Sequence, residues 1–155
     1  MTRLSPARAS VAASLAAALF ACTAYTGSSL IEPPMPLPTE LSATQVLAQA
    51  PMQDSARVAG SIVGFVGVLG LFNRTAPCFT LSSTATRSAN HVTVILRATE
   101  QPGTCATFAA GAFEYDVAVR GLTPDIYEVD VVHRVLFQGG GATETRVASR
   151  RVEVR

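Results

Sequence analysis

The sequence predicts an all-β protein, an antiparallel β-sandwich of about seven strands over residues 57–155. Three observations predict it. Phe113, Tyr115, Val117 and Val119 alternate with polar residues, and so do Tyr127, Val129, Val131, His133 and Val135. Period-two alternation is the pattern of a half-buried strand. Turn-forming clusters separate such runs, at Ser88-Ala89-Asn90, Gln101-Pro102-Gly103-Thr104 and Gln138-Gly139-Gly140-Gly141. Hydrophobic residues make up 48% of the 155 and charged ones 15%, which supports one packed core and argues against global disorder.

Residues 1–21 read as a signal peptide. Arg3 and Arg8 precede the apolar stretch Val11–Ala21, which is too short to span a bilayer as a helix. Leu19-Phe20-Ala21-Cys22 then resembles the lipobox of bacterial lipoproteins. That resemblance implies lipidation of Cys22 and a membrane anchor on an exported cell-envelope protein, facing the periplasm from the outer membrane or the cell surface. The competing assignment is an ordinary signal peptide cut after Ala24, with Cys22 discarded.

Residues 22–56 read as a proline-rich tether. Four prolines within Glu32–Pro38 favour polyproline II, and Thr39 to Ala50 is expected to form a short helix stopped by Pro51. Val58–Phe72 is the most apolar stretch of the mature chain, punctuated by Gly60, Gly64, Gly67 and Gly70. Its β-branched residues fit one or two buried strands better than a membrane helix, with the glycines marking bulges or close backbone approach.

Strands are then expected over Cys78–Thr86 and Val92–Ala98, paired as a hairpin. A last strand, Thr143–Val154, carries Arg146, Arg150, Arg151 and Arg155, with a bulge near Ser149-Arg150. Pro124-Asp125 suits a type I turn, although Gly121–Ile126 is long enough to carry the chain between opposite sheets. Cys78 and Cys105 suit a structural disulfide in an exported protein, since neither sits in a Cys-x-x-Cys pattern or beside a histidine.

Leu122-Thr123-Pro124-Asp125-Ile126-Tyr127-Glu128-Val129-Asp130-Val131 resembles the Leu-x-Pro-Gly-x-Tyr-x-Val-x-Val corner of secreted Ig-like modules, including carboxypeptidase regulatory-like and fibronectin type III domains. The resemblance implies an Ig-like antiparallel β-sandwich in which Leu122, Pro124 and Tyr127 form a tyrosine corner. Asp125 stands where glycine is common, and the chain has no tryptophan.

Little in the sequence points to catalysis. Its only histidines are His91 and His133, and no zinc spacing, nucleophile elbow, phosphate loop or cofactor motif occurs. Glu114, Asp116, Glu128 and Asp130 alternate outward on adjacent strands; solvated faces explain them, and the alternative is an acidic patch near Arg97 or Arg120. A net charge of +1 gives no electrostatic footprint for nucleic acid. The function expected is a non-catalytic binding or structural module whose partner is an envelope protein or glycan. The alternatives are a periplasmic protease-inhibitor-like module and a small enzyme or metal-binding protein using His133 and nearby carboxylates.

Overall fold

The computed structural model describes residues 33–47, 52–62, 64–74, 78–103 and 111–155. The signal peptide, Cys22 and Cys105 lie outside them. Nine strands form: β1 Met35–Leu37, β2 Thr39–Leu47, β3 Ser55–Ile62, β4 Phe65–Phe72, β5 Phe79–Ser88, β6 His91–Glu100, β7 Gly111–Arg120, β8 Asp125–Leu136 and β9 Ala142–Val154. They make a five-stranded sheet, β1-β5-β6-β8-β9, and a four-stranded sheet, β2-β7-β4-β3. The described residues contain no helix.

Two expectations are corrected. The strand count is nine rather than seven, because residues 35–47 are not a linker and helix but β1 and β2. All nine residues of β2 pair with β7, from Thr39–Val119 to Leu47–Gly111. The prolines tolerate this because of where they fall. Pro36 lies in a three-residue edge strand, where a missing N–H leaves no inner ladder broken. Pro38 lies between β1 and β2, where the chain leaves one sheet for the other.

The second correction is that the pairing is not wholly antiparallel. β6 and β8 run parallel, in register from His91–Glu128 to Thr99–Leu136. The chain visits the opposite sheet as β7 between them, and two reversals restore the original direction. The corner after β7 therefore crosses between sheets. Pro124 sits at a bend instead of in a tight turn, and Asp125 already pairs with Val154.

The core lies between the sheets. Val66, Val68, Val92, Val94, Leu96, Val117, Val119, Val129 and Val131 have no exposed surface. Full burial of such a side chain contributes about 1.5–3 kcal/mol. At one side of the sandwich β3 lies beside β9, and the Arg150 guanidinium donates from Nη1 to the Val58 carbonyl at 3.1 Å. Bulges fall at Gly60, where Ala59 pairs Gly67 and Ser61 pairs Val66, and at Val147, two residues before the expected position.

The β5–β6 hairpin turns through Ala89-Asn90, with Ala89 at φ 50°. Left-handed backbone costs a residue with a Cβ about 1–2 kcal/mol, partly offset in glycine by its greater entropy in the unfolded chain. Ala89→Gly is therefore expected to raise stability by up to about 1 kcal/mol, read as a higher denaturant midpoint. A lower midpoint would show that the turn does not store this strain.

Candidate functional site

Polar chemistry collects at one place in the core. His133, on the inner face of β8, is 2% exposed, and its ring stacks on Phe72 of β4 at 4.1 Å between centroids and 12° between planes. Tyr115, on the inner face of β7, reaches beneath β4 and brings its hydroxyl to 2.9 Å from His133 Nε2. Asp54, in the segment leading into β3, places Oδ2 3.5 Å from His133 Nδ1. Asp54 Oδ1 also accepts the Asn73 N–H at 2.6 Å. One histidine thus ties together β7, β8, the entry to β3 and the exit from β4.

The protons follow from the partners. A carboxylate at Nδ1 requires the ring proton there, which leaves Nε2 to accept from the Tyr115 hydroxyl. Burial, and secondarily the negative charge of Asp54, push the Tyr115 phenol up, so it stays a donor. Burial also pushes Asp54 up. The His133 Nδ1 contact, the Asn73 N–H and the charge of Arg74 outweigh that and hold Asp54 below the usual carboxylate range. At 3.5 Å the Nδ1 contact is too long and poorly aligned for a strong hydrogen bond, and it is a weak polar contact between the ring N–H and the carboxylate.

Asp-His-Tyr in a line is a proton-relay geometry, but Tyr115 and His133 are each only 2% exposed. Tyr115 touches the floor of an outer groove beside Gly70, and His133 lies behind it. The array holds the two sheets in one register, and its chemistry faces inward.

The acids singled out from the sequence do not assemble. β7 and β8 belong to different sheets, so Glu114 and Asp116 face outward on one side of the sandwich and Glu128 and Asp130 on the other. Glu114 and Asp116 line a shallow groove of about 560 Å³ with Ser42, Thr44, Arg57, Leu69 and Leu71. Asp130 is taken up locally. Ser149 first, then Arg146, whose Nη1 lies 3.2 Å away, and His91 at 3.2 Å hold its carboxyl low against the cost of burial. Arg120 makes a two-pronged ion pair with Glu40 at 2.9 and 2.7 Å.

At the corner Tyr127 is 1% exposed and donates to the Thr123 carbonyl at 3.0 Å, with the Thr123 hydroxyl 3.1 Å from the Tyr127 hydroxyl. Leu122 is buried beside it and Pro124 is exposed. Tyr127→Phe is expected to cost about 1 kcal/mol, the net value of one such hydrogen bond. Urea unfolding measures this, and an unchanged midpoint would remove the corner from the stabilising contacts. Cys78 is buried.

The four sheet edges differ in what their strands offer a partner. β1 is three residues long and contains proline, β3 lies against β9, and β9 is studded with arginine. β2 meets β5 at its start, where the Thr39 hydroxyl donates to the Ser83 carbonyl at 3.2 Å, and from Leu41 on it carries neither proline nor charge. It spans nine residues, six of them exposed. Leu47 is 68% exposed. The sequence reading missed this edge, having assigned it to a helix.

No family model, no curated protein and no solved structure matches the chain.

Proposed function

We propose that this is an exported, lipid-anchored cell-envelope protein whose sandwich is a non-catalytic module that takes up an extended segment of a partner protein along β2. The edge itself carries the reading. A long, exposed edge strand with no charge from Leu41 to Leu47 is a template for main-chain pairing, and proteins that do not use such an edge blunt it. The groove beside β2 would receive alternate side chains of the added strand, with Glu114 and Asp116 favouring a basic residue there. The anchor rests on the resemblance of Leu19–Cys22 to a lipobox, and Cys78 pairing with Cys105 suits the same compartment.

Amide exchange tests the edge. Amides of Glu40–Leu47 should gain protection when the full chain engages its envelope partner, and Ser42→Lys with Thr44→Lys should weaken the complex at least tenfold. Protection confined to the loops instead would assign the binding to them. Mass spectrometry of the mature protein should find acylated Cys22, whereas an unmodified amino terminus at Tyr25 would exclude the anchor. Thiol titration under denaturing, non-reducing conditions should find Cys78 and Cys105 both blocked.

A further inference from the structure

We propose that the outer face of the five-stranded sheet binds an acidic glycan, seating one of its carboxylate or phosphate groups between Arg97 and Arg134. The face lies in the sheet opposite β2, and the inference does not depend on how that edge is used.

Register places the two arginines together. β6 and β8 run parallel with Arg97 directly opposite Arg134, and both point outward because their neighbours Leu96, Ala98, His133 and Val135 are buried. Like charges facing each other across a ladder are destabilising. A guanidinium cannot relieve this by losing its proton.

The nearby acids cancel only part of the charge. Glu144 reaches Arg134 Nε at 3.1 Å, and Asp130 is occupied by Arg146, His91 and Ser149. Among the described residues no ion pair reaches Arg97. Its side chain is half-buried, and its Nε is cut off from solvent with no hydrogen-bond partner. Arg134 Nε likewise lacks an aligned hydrogen bond despite the proximity of Glu144. With the two Nε atoms covered, an oxyanion on this face would be met by the Nη groups of the two guanidiniums, which register holds side by side.

The surroundings favour a sugar chain as its carrier. Ser82 is the register neighbour of Arg97, and Thr80 and Thr84 flank it along the exposed face of β5. Thr99 lies two residues along β6. Four strands at about 4.8 Å spacing give a flat platform about 14 Å wide, faced with hydroxyls that donate and accept as sugar hydroxyls do. A membrane-docking surface would instead need several uncompensated cations and exposed apolar anchors. Ile95 and Val132, at the centre of the face, are half-buried.

The test uses the full chain and titrates it with polygalacturonate, neutral dextran, inorganic phosphate and phosphatidylglycerol vesicles. Salt-sensitive binding of polygalacturonate, absent for dextran and weakened at least tenfold by Arg97→Gln, is the expected result. The ligand-free melting temperature of that variant should be unchanged or higher, because a like-charge contact has gone. Arg97→Lys, which keeps the charge but not the fork, should also bind more weakly than wild type. Equal binding by wild type and Arg97→Gln would overturn the proposal. So would binding to the vesicles or to phosphate without binding to polygalacturonate. Ser42→Lys with Thr44→Lys should leave polygalacturonate binding intact, so failure at this face and failure at β2 are distinguishable.

Discussion

Gly70→Ala is expected to lose roughly 3 kcal/mol of folding stability, seen as a large fall in urea midpoint with little change in slope. Gly70 lies on the inner side of β4, in register with Tyr115 of β7 and Ala56 of β3. The Tyr115 side chain crosses the space a Cβ would fill. A methyl group there would overlap the Ser55 carbonyl oxygen, the Tyr115 hydroxyl and the ring carbon that bears it. The first is backbone and the others belong to a ring packed in the core, so none moves aside easily. Overpacking of this kind costs about 1–3 kcal/mol. Displacing the hydroxyl from His133 Nε2 also leaves a buried acceptor unmet, worth about 1–3 kcal/mol more. Combining Gly70→Ala with Tyr115→Leu should lose less than the sum of the single losses, because both changes break the same contacts. Gly139→Ala, with nothing within 4 Å of the added carbon, is the control and should stay within about 0.5 kcal/mol of wild type. A Gly70→Ala protein as stable as that control would mean that Tyr115 does not need the glycine.

The strands β5 to β8 were legible because each places apolar residues at period two on one covered face, and β9 by its parity shift at the bulge. β2 was not. Its inward positions at Ala43 and Gln45 lie at the sheet edge, where the five-stranded sheet covers little, so small and polar residues suffice and the alternation fades. β1 was hidden by Pro36, which is compatible with a strand only because that strand is short and at an edge. The corner at Tyr127 was legible because it is local, with the bond spanning four residues. The Asp54–His133 contact joins residues 79 apart, and periodicity carries no information about such a meeting. One signal did exist. A histidine at a buried strand position must satisfy two ring nitrogens, so partners had to come from elsewhere in the chain. The arginine pair on the outer face was hidden for a different reason: it depends on β6 lying parallel to β8, which follows from chain topology.

His133→Ala is expected to cost roughly 3–4 kcal/mol, and His133→Phe clearly less. The alanine variant removes the ring stacked on Phe72, opens a cavity beside the fully buried Phe72, and strips Tyr115 and Asp54 of their shared partner. The phenylalanine variant restores the stacking area and leaves only the polar loss. That loss is softened because the Tyr115 hydroxyl lies 3.4 Å from the Ser55 carbonyl and Asp54, with about a third of its side chain exposed, can turn to water. The difference between the two variants therefore separates packing from hydrogen bonding. pH isolates the remaining electrostatic part. Asp54 ionises more readily in the folded chain than its ordinary value of 3.8, so its contribution is fully present above that value and is lost as pH falls through its lower folded value. Asp54→Asn should destabilise the protein at neutral pH and flatten the fall of stability below about pH 4. Wild type and variant losing stability in parallel over that range would place the acid sensitivity at Asp130, whose carboxyl is also held low, and would leave His133 a packing residue with polar neighbours.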